Sequence, residues 1–380
     1  MMNLTKYEKA FLIFFVPLFG LKMMDITAEN ILLKLVGVAC FCSFSLFVYK
    51  QKYPPKFFGL FNVLLLYSGI LVLTSGKQAA FFSVLMMMLM YKVDMNRKIY
   101  KYLFNLGLLF LFIFIVIDSV HVPETTMRYL NGEWIEMTKR NNLLFVSFTA
   151  VVSLYLLVHR DNLSNMLILK VFVLSILMFG YVGSRTGLLI MIILVVMLFL
   201  LQKKWVYSNK LVRFFCITSP LCCMLFCIYT ALAYEENEFL IVIDMLFQGR
   251  IYQNNLFMNR YAMMPFGQHI VEGADTGGEF LNLDCAYMDF LICEGVIFAI
   301  LWTLITILVI RYFYDQRRLV EVSILVTYAF YGITETFLPN CFLNISLFLY
   351  GEYIILKLMV PMNASYFLKS KNTKNYNVIK

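Results

Sequence analysis

Polar residues in this chain come in short clusters, separated by long uninterrupted apolar runs that show no alternation of period two. Twelve runs can be read, near 9–24, 31–49, 57–74, 78–91, 102–118, 143–159, 166–183, 187–201, 214–233, 286–310, 319–335 and 341–360. Most approach the length of about 20 residues that a hydrocarbon layer of roughly 30 Å demands of a helix, and the shorter ones fit with tilt or local thinning. Their continuity selects helices over barrel strands, whose residues would face lipid and lumen in turn. The pattern therefore predicts an all-α integral membrane protein of about twelve transmembrane helices, a single polytopic domain over 1–380.

Composition points the same way, since 61% hydrophobic and 14% charged residues among 380 lie far outside the range of soluble domains. The first run lacks a small-x-small cleavage site and is followed by further spans, so it is expected to stay as a helix rather than leave as a signal peptide. Nearly all nine cysteines sit in or at apolar runs, and neither Cys222-Cys223 nor Cys40-x-Cys42 has histidines at metal spacing. Packing is the expected role.

Charge supplies the orientation. If the N-terminus is inside, about two-thirds of the 32 Lys and Arg fall in cytoplasmic segments, among them Lys50, Lys52 and Lys56, then Lys203, Lys204, Lys210 and Arg213, and the basic tail 361–380. Both termini are thus expected to be cytoplasmic. The net charge of +9 is an inside-loop signature, and no nucleic-acid partner is expected.

Two segments exceed the short connections found elsewhere, 119–142 and 234–285. The second is a large external loop before the tenth run, long enough that it should be structured and carry function. Its stretch 238–247 is too short to span and is expected at the interface or docked on the bundle. Residues 249–265 are helix-compatible, with Arg250, Asn254 and Tyr261 on one face and Arg260 about 80° away. A glycine-rich connection through Gly267, Asp275 and Glu279 leads to the tenth run.

The ionised residues placed for chemistry gather on the same outer side. In Gly183-Ser184-Arg185-Thr186-Gly187 the seventh and eighth runs join with almost no loop, so unpaired N–H groups of a helix start lie beside a guanidinium. That combination suits a phosphate, and equally a turn capped by Ser184 whose arginine reaches lipid headgroups. Arg250, after Gly249, adds a second arginine, and a diphosphate has more oxygens than one guanidinium can satisfy. Asp284, where the tenth run begins, reads as a helix cap or as a general base. Glu335, closing the eleventh, is the competing base or an exposed acid. Asp289 and Glu294 lie deeper and should pair within the bundle, with Lys34 a candidate partner. His269 is a lone loop histidine. Trp134 and the outer tyrosines could stack on sugar rings or anchor at the interface. The outer side has no Asp-x-Asp pair, and Glu235-Glu236-x-Glu238 is a poor Mg²⁺ site, so neither metal nor cofactor is expected.

Several short motifs, in order and on one membrane side, resemble the Wzy-type polysaccharide polymerases, grouped with the O-antigen ligases in one superfamily of integral-membrane glycosyltransferases. They are Ser184-Arg185-Thr186-Gly187, Gly249-Arg250, Pro265-Phe266-Gly267, Asp284-x-x-Tyr287 with Glu294-Gly295, and Gly332-x-x-Glu335 followed by Asn340. The resemblance implies a multi-pass enzyme of the bacterial cytoplasmic (inner) membrane whose arginines hold the diphosphate of an undecaprenyl-linked oligosaccharide. Asp284 and Glu335 are then the catalytic candidates, and Arg185, Arg250, Arg260, Ser184, Tyr287 and His269 the substrate contacts. A chain-length regulator and a flippase would be its protein partners. Ligase-type members commonly carry a His-Asn pair before the tyrosine where this chain has Asp284-Cys285, which leaves the base open. Rival readings are a lipid-linked oligosaccharide flippase, a ligase-like transferase, a small-solute transporter and a non-catalytic scaffold. A flippase would hold its charges in a central cavity between similar halves.

Overall fold

The computed structural model describes residues 4–24, 31–50, 53–120, 124–130, 133–139, 141–247, 249–270 and 282–359. The tail 361–380, His121, Asp275, Glu279 and the side chains of Lys34 and Trp134 lie outside the described set. Helices follow in the order α1 (Lys6–Met23), α2 (Ile31–Lys50), α3 (Pro55–Ser75), α4 (Ala79–Leu89) and α5 (Arg97–Val120). An antiparallel hairpin of β1 (Glu124–Leu130) and β2 (Glu133–Lys139) intervenes, in register from Glu124 opposite Lys139 to Leu130 opposite Glu133. Then come α6 (Leu143–Val158), α7 (Asn165–Val182), α8 (Arg185–Leu201), the single turn α9 (Lys204–Tyr207) and α10 (Lys210–Leu232). The long segment before the tenth run holds α11 (Glu238–Phe247) and α12 (Arg250–Arg260). The chain continues through α13 (Ala286–Asp289), a wide π turn (Phe290–Glu294), α14 (Val296–Asp315), α15 (Leu319–Tyr331) and α16 (Leu347–Met359).

Among the described residues five helices, α3, α5, α7, α10 and α14, are long and apolar enough to cross a membrane. Only 22% of the apolar window of α3 or α5 is buried by the rest of the chain. Leu73 of α3 is 87% exposed, and Leu66, Leu177 and Phe215 also face outward, which water would not tolerate over so wide a surface. Shorter apolar helices, including α6, α8 and α15, fill the middle, and α6 is buried at nearly every position from Leu144 to Val158. Helix α8 packs on both α7 and α15, and α10 on α12, α14 and α15. Gly187 lets α8 approach α6, since a Cβ there would run into the Phe145 ring.

Local sequence sets the ends. Thr5 and Glu8 form a capping box at the start of α1, with the Thr5 N–H donating to Glu8 Oε2 at 2.7 Å. Pro55 opens α3, which closes on left-handed Gly76. Gly183, at φ 76°, closes α7, and Ser184 immediately caps α8 by accepting from the Gly187 N–H at 3.3 Å.

Three expectations change. The tenth run is two pieces, broken at Glu294-Gly295, where Gly295 has φ 98° and ψ 154°. The segment 262–268 folds into the break: Val296 N–H donates to Met264 O at 3.0 Å and Gln268 N–H to Cys293 O at 2.9 Å. A Cβ on Gly267, at φ 78°, would collide with the Cys293 carbonyl, so this crossing needs glycine. The stretch 341–346, expected to open the twelfth span, is irregular and buried, and α16 starts only at Leu347. Its main chain is served by side-chain amides, Asn344 Nδ2 donating to Leu338 O at 2.7 Å and Asn340 Oδ1 accepting from Phe342 N at 3.0 Å. Irregular backbone at such depth survives only when so satisfied. Finally, 119–142 contributes the hairpin to a fold expected to be all-α.

Polar groups collect at two ends. One gathers Arg160, Arg213, Asp315, Arg318, Glu321 and Glu352. The other gathers Lys77, Asp284, Asp289, Arg250 and Glu335.

Candidate functional site

Arg250 is held by the packing of α11 against α12. Gly249, left-handed at φ 82°, closes α11 by donating to Asp244 O at 3.1 Å and starts α12 without a side chain able to cap it. Asp244 of α11 supplies the cap, its Oδ1 accepting from Ile251 N at 2.7 Å and its Oδ2 from Tyr252 N at 3.2 Å. Burial pushes this carboxyl above its ordinary range, against the opposing pull of those N–H groups, Tyr234 and Arg250. Asn255 anchors the next turn through Nδ2 to Ala231 O at 2.9 Å. The helix therefore has one settled rotation, and it turns Arg250 inward.

The guanidinium is 4% exposed and meets two acids from distant parts of the chain. Its Nη2 lies 3.3 Å from Glu335 Oε1 and 3.6 Å from Asp284 Oδ2. Its Nε and Nη1, both buried, have no hydrogen-bond partner among the described residues. Asp284 and Glu335 are partly open, 22% and 19% exposed, so the acids form the accessible side of the cluster. Asn282 Nδ2 donates to Asp284 Oδ1 at 2.7 Å, leaving Oδ2 toward the arginine. Ala286 N–H donates to Gly332 O at 2.8 Å and ties the two acid-bearing segments together. Gly332 must lack a side chain there, because a Cβ would strike Leu338 and crowd Tyr287.

Of the other expected contacts, Arg185 is exposed at the first turn of α8, without an ion-pair or hydrogen-bond partner among the described residues. Tyr331, within electrostatic reach of Glu335 and Arg250, packs with Ile190 of α8. The second turn of α8 thus packs beside a neighbour of the cluster. Ser184 acts as the cap of α8, with Oγ taken up by the Gly187 N–H. Tyr287 is fully buried and its hydroxyl donates to Ala329 O at 2.8 Å, a packing contact between α13 and α15 rather than an open surface. Arg260 is exposed at the far end of α12, about 15 Å along the axis from Arg250. His269 is exposed beside Gly76, at the end of α3.

Asp289 pairs with Lys77 at the end of α3, while Glu294 is buried with neither carboxylate oxygen hydrogen-bonded. Asp244 was missed from sequence, although an acid five residues before Gly249-Arg250 is the spacing at which one helix can cap the next. Comparison with protein-family models, curated proteins and solved structures found no match to this chain.

Proposed function

We propose that this chain is an integral-membrane glycosyltransferase that polymerises lipid-linked repeat units at the outer face of the bacterial cytoplasmic membrane. It transfers a growing glycan from undecaprenyl diphosphate onto the non-reducing end of a fresh lipid-linked unit. The observation that carries the reading is Arg250: a buried guanidinium with two donor nitrogens that find no partner among the described residues, flanked by two partly open carboxylates. Buried donors without partners are rare and costly, and a diphosphate supplies oxygens to both. Binding there leaves the Nη2 contact to Glu335 in place.

In the reaction one carboxylate, Asp284 or Glu335, accepts the proton of the acceptor hydroxyl. The alkoxide electrons form the new bond to the anomeric carbon, and the bond from that carbon to the diphosphate oxygen breaks. The leaving group departs with its electron pair, and its charge is met by Arg250, by Arg185 and by the N-terminus of α8. Outside the cytoplasm no nucleotide sugar is at hand, so an activated lipid is the donor the chemistry needs. An apolar cleft between α3 and α4, lined by Leu65, Leu66, Ile70, Leu73, Phe81 and Phe82, offers room for an isoprenoid chain. Helix α4 is joined to the segment after Glu335 through Ser83, whose hydroxyl accepts from Cys341 N at 3.1 Å. The reaction as written uses no metal and no cofactor.

The test is polymerisation of lipid-linked repeat units by the purified chain in lipid nanodiscs, read as a product ladder. Arg250→Ala should lower the rate by about 10²–10³-fold, the usual loss on deleting a transition-state donor. Arg250→Lys should recover only part, since an ammonium cannot bind two oxygens bidentately. A wild-type ladder from Arg250→Ala would remove the basis of the reading.

A further inference from the structure

The break in the tenth span holds a charge that the proposed reaction does not use. Glu294 ends the π turn, is 1% exposed, and neither of its carboxylate oxygens has a hydrogen-bond partner among the described residues. The nearby charges are Asp289 and Lys77, which pair with each other. Among the described residues these amount to two carboxyl groups and one ammonium, so an ionised Glu294 would lack a counter-charge. The Tyr67 hydroxyl of α3, within electrostatic reach of Glu294, is also buried and without a partner. Both groups offer oxygen, and Glu294 sits where a helix has been widened and interrupted, a break that presents the negative end of a half-helix while its Cys293 and Ile292 carbonyls accept from the Gln268 N–H and Nε2.

Hard oxygen donors, one uncompensated negative charge and a discontinuous helix together specify the ligand class. Soft or borderline metals would call for sulfur or nitrogen, and among the described residues no three His, Cys, Asp or Glu side chains come together to hold a metal ion. A divalent ion would overcompensate a group that lacks a single charge. We propose that Glu294 and Tyr67, with main-chain oxygens of the π turn, bind one alkali cation, Na⁺ or K⁺, that neutralises the break and fixes the junction between α13 and α14. Through the crossing at Gly267 and Gly295 the same junction holds the outer loop that carries Arg250. The cation thereby acts on the outer site as a positioning element and takes no part in bond making.

The proposal stands apart from the glycosyltransfer reading and is tested without activity. Equilibrium dialysis of the full chain in nanodiscs against radioactive sodium, and rubidium as a potassium surrogate, should show saturable binding of a single cation per chain. Binding should vanish in Glu294→Gln, weaken several-fold in Tyr67→Phe, and persist in Arg250→Ala and in Glu235→Gln, an exposed acid of the outer loop. The thermal midpoint of the wild type should rise in NaCl or KCl over N-methylglucamine chloride at equal ionic strength, and that difference should disappear in Glu294→Gln. If Glu294→Gln fails to fold, the wild-type dialysis decides alone. No bound cation, or a salt response that persists in Glu294→Gln, overturns the proposal. So does a Glu294→Gln variant as stable as the wild type in every salt, because it would mean that a proton suffices.

Discussion

Two arginines in this molecule each face a pair of carboxylates, and they are used in opposite ways. At one end Arg318 spends its guanidinium on the protein: Nε donates to Glu321 at 2.8 Å, Nη1 and Nη2 both reach Glu352, and the plane lies over the Phe313 ring. Arg160 adds a second contact to Glu321 at 3.3 Å. Although burial opposes the charge, Glu352 and Glu321 hold Arg318 well above the usual arginine range. At the other end Arg250 is more deeply buried, yet touches its acids through Nη2 alone and leaves Nε and Nη1 idle. A saturated buried ion cluster is what a scaffold needs, whereas an unsaturated one calls for an explanation, which the proposed diphosphate would supply. Both arginines face two carboxylates, and the geometry of the contacts separates them.

The comparison fails outright if the two ends do not lie on opposite sides of a membrane. In a background without native cysteines, Glu236→Cys should react with an impermeant maleimide in intact cells and Asn209→Cys only after lysis. The reverse pattern would invert the topology. Next in size is the base. Asp284→Asn keeps any capping capacity but cannot accept a proton, and should cost about 10²–10⁴-fold in rate if Asp284 is the base and almost nothing if it is not. Glu335→Gln is the parallel variant. Loss in one with near-normal activity in the other assigns the base, and near-normal activity in both would leave the cluster without one.

Smaller effects sharpen the structural side. Arg318→Ala strands Glu352, leaves Glu321 with Arg160 alone, and should destabilise by about 3 kcal/mol in chemical unfolding, with the residual activity of folded protein intact. A loss below roughly 0.5 kcal/mol, the scale of an exposed pair, would show the network to be ornamental. Asp244 is subtler. Its carboxyl is raised by burial, so the native state holds that proton more tightly than the unfolded chain. Its contribution is complete below the unfolded value near pH 4 and is lost as pH rises through the native value. The stability of the wild type relative to Asp244→Asn should therefore decline as pH increases from about 4, and a difference flat across that range would contradict the assignment.

Much of the scaffold was legible. Continuous apolarity marks α3, α5, α7, α10 and α14, and Gly183-Ser184 marks the abrupt start of α8. The break at Glu294-Gly295 was not, because apolar residues run on either side and the cause lies in a distant glycine, Gly267, crossing it. Cys341-Phe342-Leu343 read as the start of a span, but Pro339, Asn340 and Asn344 fold it into turns. The hairpin carried an overlooked signal, Asn131-Gly132 between alternating residues. For the site, the residue types and their shared side were readable, while the meeting of Arg250 with Asp284 and Glu335 depends on Asp244 turning α12, a long-range packing result.

The measurement that bears most directly on the central claim is binding of undecaprenyl diphosphate to the purified chain in nanodiscs, compared between wild type, Arg250→Ala and Arg213→Ala. Arg213 is a fair control, a half-exposed cation at the opposite end whose partner is Asp315 at 2.7 Å. Losing charge-assisted bonds at Arg250 should weaken the dissociation constant by about 10- to 100-fold, whereas Arg213→Ala should match the wild type. Equal affinity in all three proteins would contradict the account, because the unsatisfied guanidinium would then have no part in holding the lipid diphosphate.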